Sequence, residues 1–287
     1  MNKIDKEFLE HYSDKEFDKP SVTVDAVIFR INNIESKNYR KLPEKKLQVY
    51  LTKRTTPPYV NMYGVVGTFI DLQNELTKTM QLCVKNKVNI LNYYHEQLYT
   101  FGEYSRDPRT RVISVAYMLL TNKNEQLENG EWFDVEIEEK NYNLINYENG
   151  YEITKQIEIT LKNENLTLNN VIEVKTKKEN LTETTNINII NNSLAFDHIK
   201  IIYYAIERLK NKLEYTDIIF NMLDNKFTLT ELKQCYELIL REKLLDANFR
   251  RKISKMVEQT SDFEDAKGHR TSKLYVHNPN WRTFNIE

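Results

Sequence analysis

Two hydrophobic periodicities divide this chain near Ser193, and the switch between them limits its possible folds more than any other feature. Before that point apolar residues alternate in short β-branched runs, as at Val22-Thr-Val-Asp-Ala-Val-Ile-Phe29, Leu47-Gln-Val-Tyr-Leu51 and Arg111-Val-Ile-Ser-Val-Ala-Tyr-Met-Leu-Leu120. A shorter strand is expected from Trp132 to Val135. One helix interrupts this pattern: Leu76, Met80, Cys83 and Val84 recur at helical spacing between Asn74 and Lys87. After Ser193 the spacing is helical, with Ile199, Ile202, Tyr203, Ile206, Leu209 and Leu213 on one stripe. A short helix is expected from Tyr215 to Leu223. Thr228-Leu-Thr-Glu231 has the form of a capping box and opens a third helix, ending near Leu240. Asp246 suits an N-cap for a fourth helix reaching about Val257, and Lys273-Leu-Tyr-Val-His277 reads as a closing strand after a polar loop around Gly268.

The segment from 145 to 193 is rich in Asn, Thr, Glu and Lys. Within it Gln156-Ile-Glu-Ile-Thr-Leu161 and Val171-Ile-Glu-Val-Lys175 still alternate, so a β-hairpin followed by a mobile linker over 176–193 is expected, with disorder throughout as the alternative. The domains follow: 1–192, including the hairpin and linker, and 193–287. At 287 residues, two domains are the natural expectation.

Composition narrows the function classes. Hydrophobic residues at 40% and charged residues at 29% fit a globular protein, and no apolar run approaches the ~18 residues of a membrane span. The start lacks the features of a signal peptide, so a cytoplasmic protein is expected. Cys83 and Cys235 sit in helical apolar patterns as core thiols, and the five histidines form no zinc spacing. The net charge of −1 conceals only a slight asymmetry: residues 195–287 hold 16 Lys and Arg against 14 Asp and Glu, the remainder 25 against 28. Local placement of charge must decide any nucleic-acid role.

The strand at Val22–Phe29, the Lys53-Arg54 pair, and Gly67-Thr-Phe-Ile-Asp71 before a helix resemble a Nudix domain. The most specific match is the run Tyr99–Tyr117, which is similar to Nudix enzymes and regulators that handle ADP-ribose and related nucleotides. Nudix hydrolases hold divalent cations with glutamates on one helix face, because hard cations need oxygen ligands. Aligning Phe69 with the aromatic after the paired glycines puts Asn74, Cys83, Asn86 and Lys87 at the four glutamate positions, Leu82 at the arginine, and Asn89 at the glycine that ends the helix. No enzymatic activity, metal or cofactor is therefore expected. The resemblance implies a surviving binding pocket, with Arg54, Arg106, Arg109 and Arg111 gripping phosphates and Phe69 and Tyr117 as walls, along with Asp25 and Tyr59. Arg111 is the arginine best suited to a structural role.

The second domain resembles the winged helix-turn-helix that follows the Nudix domain in NrtR-like regulators of NAD and sugar metabolism. The matching residues are Leu194-Ala-Phe-Asp-His198, Phe227-Thr-Leu-Thr-Glu-Leu232, Asn248-Phe-Arg-Arg-Lys-Ile253 and Gly268-His-Arg-Thr-Ser-Lys-Leu-Tyr275. Phe249, Ile253 and Met256 or Val257 are spaced to face a core, leaving Asn248, Arg250, Arg251, Lys252 and Lys255 for DNA, with His269, Arg270 and Lys273 in the wing. The expected fold is α+β, a Nudix α/β/α sandwich with a mixed sheet followed by a winged helix-turn-helix. The expected function is a homodimeric, DNA-binding regulator of a palindromic operator, whose inactive Nudix domain senses ADP-ribose or a related nucleotide or phosphosugar. The alternatives are a Nudix hydrolase using Glu75, Glu96 or Glu103 as atypical ligands, and a protein-interaction module.

Overall fold

A computed structural model describes residues 1–13, 15, 18–34, 43–122, 129–263 and 271–281. The longest apolar alternation becomes its central strand. In β1 (Ser21–Ile34) six consecutive residues are buried, because both faces of the strand are covered. Val24, Ala26 and Ile28 point to one side, and Val27, Phe29 and Ile31 to the other. β1 pairs antiparallel with β2 (Glu44–Lys53) and parallel with β6 (Val112–Leu120). The short strands β3 (Tyr63–Gly64) and β4 (Val66–Phe69) attach to β2 and β1. With β5 (Tyr94–Phe101), β7 (Gly130–Tyr147), β8 (Gly150–Lys162), β9 (Thr167–Glu179) and β10 (Thr182–Asn191) they form a mixed sheet ordered β10-β9-β8-β7-β2-β1-β6-β5.

The long antiparallel extension β7–β10 corrects the linker expectation. The expected hairpin lies within β8 and β9, but residues 182–191 form a further strand rather than a mobile linker. Their backbone pairs with β9 from Thr182↔Glu179 to Asn191↔Val171. Only Ile187 of β10 is buried, which is why its sequence carries so little strand signal.

The sheet is sandwiched between α2 (Leu76–Val88) and α3 (His198–Lys212). On the α2 side, Met80, Val84 and Val88 pack on Val24, Ile28 and Leu119. On the α3 side, Ile199, Ile202, Ala205 and Leu209 pack with Val27, Phe29, Leu98 and Phe101. A separate N-terminal helix, α1 (Lys3–His11), buries none of its residues.

After α3 come a 3-10 turn over Ile218–Met222, α4 (Leu229–Leu240) and α5 (Asp246–Ile253). The Thr228 capping box forms: its hydroxyl accepts from the Glu231 amide at 3.1 Å, and the Thr228 amide donates to the Glu231 carboxylate at 2.9 Å. α5 ends at Ile253, short of the expected Val257, and Leu245 rather than Asp246 occupies its N-cap position. Val257 instead opens β11 (Val257–Phe263), which pairs antiparallel with β12 (Lys273–His277). This two-stranded wing returns to the helices through the mutual backbone bonds of Phe227 and Tyr275.

Candidate functional site

α2, the helix that would carry catalytic glutamates, contains no Asp or Glu. Its Cys83 is buried, and burial pushes the thiol pKa upward. Lys87 donates to the Gly67 carbonyl at 2.5 Å, bringing an ammonium to the rim of the cavity beside β4. Asn89 takes the left-handed backbone (φ 60°) that ends the helix, a conformation glycine usually supplies and asparagine tolerates. A divalent cation needs converging carboxylate oxygens, and this helix face offers neutral groups and a cation. The residues present do not fit a Nudix metal site. The atypical ligands fare no better: Glu96 is bound by Lys212 and Arg208, Glu103 by Lys200, and Glu75 sits exposed at the start of α2. Burial opposes ionisation of Glu96, but Lys212 and Tyr94 outweigh it and hold its pKa below the usual range.

The cavity has a volume of about 250 Å³ and its walls include Arg54, Phe69, Arg106 and Arg109. Arg54 follows β2, where the loop carbonyls of Pro58 and Thr56 accept from its guanidinium at 2.9 and 3.3 Å. Arg109 lies on the loop before β6, oriented by Asp107 through hydrogen bonds of 3.0 and 2.7 Å. That pairing raises the Arg109 pKa, while burial and the like charge of Arg109 lower that of Arg54. Two guanidinium groups on one cavity wall concentrate positive charge there, chemistry that suits an anion.

Arg106 has a different job. Its guanidinium is bidentate on Asp197 at 3.0 and 2.8 Å, and 3.9 Å from Asp25, with only 4% of its side chain exposed. Arg111 does not line the cavity; it lies under the Tyr104 ring at 5.8 Å, and its carbonyl accepts from Ser21. Tyr117 also misses the wall. It is buried in the core on the α2 side, its hydroxyl 3.2 Å from that of Thr77.

Three residues beside this wall escaped the sequence reading as site residues because they belong to the segment leading into α3. Phe196 has φ 53°, rare for a bulky residue and costing on the order of 1–3 kcal/mol. Its ring meets Tyr59 edge-on at 4.8 Å and lies under the Arg54 and Arg109 guanidiniums at 4.8 and 5.6 Å. Asp197 holds Arg106. His198, buried at the first turn of α3, accepts from the Val65 amide through Nδ1 at 3.2 Å, and burial lowers its pKa. Gly64 makes room for that ring, since a Cβ there would lie 2.4 Å from Nδ1.

In the second candidate site Phe249, Ile253 and Met256 are buried, and Asn248, Arg250, Arg251, Lys252 and Lys255 are exposed. Lys252 lies 5.4 Å from the Tyr236 ring. α4 and α5 are joined by a turn in which Lys233 pairs with Asp246 at 2.5 Å and Glu237 accepts from the Leu244 amide at 2.9 Å. Lys273 is exposed at the start of β12; His269 and Arg270 lie outside the described residues.

Residues 219–276 match the family model of the NrtR DNA-binding winged helix domain. The chain is 27% identical over 274 residues to the ADPR responsive transcriptional repressor NtrR of Acinetobacter baylyi, covering 93% of this chain and 86% of that protein. In fold it is similar to a MutT/nudix family protein from Enterococcus faecalis, with a TM-score of 0.66 at 21% identity over 97% of this chain and 94% of that one. Shewanella oneidensis NrtR in complex with a 27mer DNA gives a TM-score of 0.59 at 23% identity over 91% and 95% of the two chains. The α+β architecture, a Nudix-type sandwich followed by a winged helix, is thereby shared along nearly the whole length.

Proposed function

We propose that this chain is a transcriptional regulator whose Nudix-type sandwich binds ADP-ribose without hydrolysing it and whose winged helix binds operator DNA. One observation carries the reading: the cationic cavity at Arg54, Lys87 and Arg109 shares a wall with the segment that starts α3, and α3 packs on the winged helix. An anion in that cavity sits beside the element that leads to the DNA-binding face. The Acinetobacter baylyi relative, described as ADPR responsive, supports ADP-ribose as the effector. Residues 1–192 serve as the effector domain and 193–287 as the DNA-binding domain, with α3 packed on both. α5 enters the major groove with Asn248, Arg250, Arg251, Lys252 and Lys255, while Lys273 and the wing reach the backbone. A homodimer on a palindromic operator suits this geometry, since helix-turn-helix readers engage half-sites about one helical turn apart.

The test is titration of DNA from upstream of the protein's own gene, with and without ADP-ribose, while AMP release is assayed with Mg²⁺. Specific binding altered by ADP-ribose, without AMP formation, is expected. Metal-dependent AMP release would favour a hydrolase instead.

A further inference from the structure

Phe196 is held on the cavity wall in a left-handed backbone conformation. Its left-handed backbone is held on one side by Asn192, whose side-chain amide donates to the Phe196 carbonyl at 2.7 Å. On the other side Asp197 is clamped by Arg106. Upstream, the Ala195 amide donates to the Tyr63 carbonyl at 2.8 Å; downstream, the Lys200 amide donates to the Asp197 carbonyl at 2.8 Å within the first turn of α3. The ring itself lies against Tyr59 and the two guanidiniums, whose N–H groups can donate hydrogen bonds to an anion in the cavity. A ligand phosphate would recruit, through their N–H edges, the same two cations whose faces lie against the Phe196 ring, and a shift of either guanidinium toward it loosens that contact.

We propose that Phe196 is an effector-contact residue that couples the cavity to the winged helix. A diphosphate ester held by Arg54 and Arg109 draws them off the ring. Phe196 is then freed from the neighbours that over-determine its backbone, and the peptide leading to Asp197 turns. Because Asp197 joins Arg106 to the start of α3, that turn reorients the helix on which the winged helix packs. The ligand thus binds the two arrangements unequally, as any coupling requires. This inference rests on the effector reading above.

The full-length chain tests it through Phe196→Gly, which removes the ring and accommodates φ 53° without strain, and Phe196→Tyr, which keeps the ring. Two quantities are measured in each: ADP-ribose affinity by calorimetry, and the ratio of DNA affinities with and without saturating ADP-ribose. Phe196→Gly should tighten ADP-ribose binding about two- to fivefold, the scale of a partly exposed cation–π pair that the ligand no longer has to loosen, and bring the ratio close to one, while Phe196→Tyr should keep the wild-type ratio. A Phe196→Gly ratio equal to wild type overturns the coupling and leaves the effector reading intact. A wild-type chain that takes up no ADP-ribose overturns both.

Discussion

Individual residues of the cavity carry separable duties. Arg109 is exposed and oriented by Asp107, so its substitution should reach the ligand without disturbing the core. Arg109→Ala is expected to weaken ADP-ribose binding about 10- to 100-fold, the loss of one or two charge-assisted hydrogen bonds, with little change in melting temperature. Arg106→Ala should behave in the opposite way. Removing one partner of a buried ion pair leaves the other uncompensated and costs roughly 3–5 kcal/mol, read as a lowered urea midpoint. His198 adds a pH dependence of stability. Burial lowers its pKa, so the folded chain keeps it neutral while the unfolded chain takes up a proton below about pH 6.5. The stability it contributes is present above that pH and is lost as the pH falls. Urea midpoints on either side of about pH 6.5 check this, and His198→Gln should flatten the difference.

Among the elements, α3 is the one whose loss both halves would feel. Its apolar stripe lies against β1 and β5, while Glu96 and Glu103 bind its Arg208, Lys212 and Lys200 from the sheet side. Ile202→Ala removes a fully buried side chain and should cost about 2–5 kcal/mol. α5 has the reverse character: it buries only Phe249 and Ile253 and presents its cations to solvent. Arg251→Ala or Lys252→Ala should leave stability nearly unchanged and weaken DNA binding. Each should also reduce the dependence of log affinity on log salt by about one unit for every phosphate that is no longer neutralised. A fluorescence anisotropy titration at several salt concentrations reads both effects. An unchanged slope would remove α5 from the DNA interface.

For the molecule as a whole, the continuity of the core is decisive. One apolar cluster runs from Val27 and Phe133 in the sheet through Ile202 and Leu209 to Cys235, Phe249 and Ile253 in the winged helix. Two sequence regions of different periodicity thus share one interior. Calorimetry of the full chain should give a single cooperative transition, with calorimetric and van't Hoff enthalpies equal. Two separate transitions would mean that the shared core does not couple the domains.

The elements legible along the chain are those whose signal is local. Val22–Phe29 alternates because a strand places successive side chains on opposite faces, and the stripe from Ile199 to Leu213 repeats because a helix returns to one face every three or four residues. The capping box at Thr228 and the helical register that buries Phe249 and Ile253 are equally legible, as are the missing carboxylates of α2. Features that depend on a distant partner emerge only in the folded chain. The polar run 182–191 is a strand because β9 satisfies its backbone, which no local pattern announces. Val257 leaves the helix because His277, twenty residues later, pairs with it. The sequence singles out Arg111 as the structural arginine, and it does lie outside the cavity, but Arg106 is structural too because it meets Asp197 across the fold. Phe196 reads as an ordinary helix-opening aromatic; its left-handed backbone and its place between two arginines exist only because strands, loops and α3 converge there. Patterns along a chain record which face a residue presents, and long-range packing decides what that face meets.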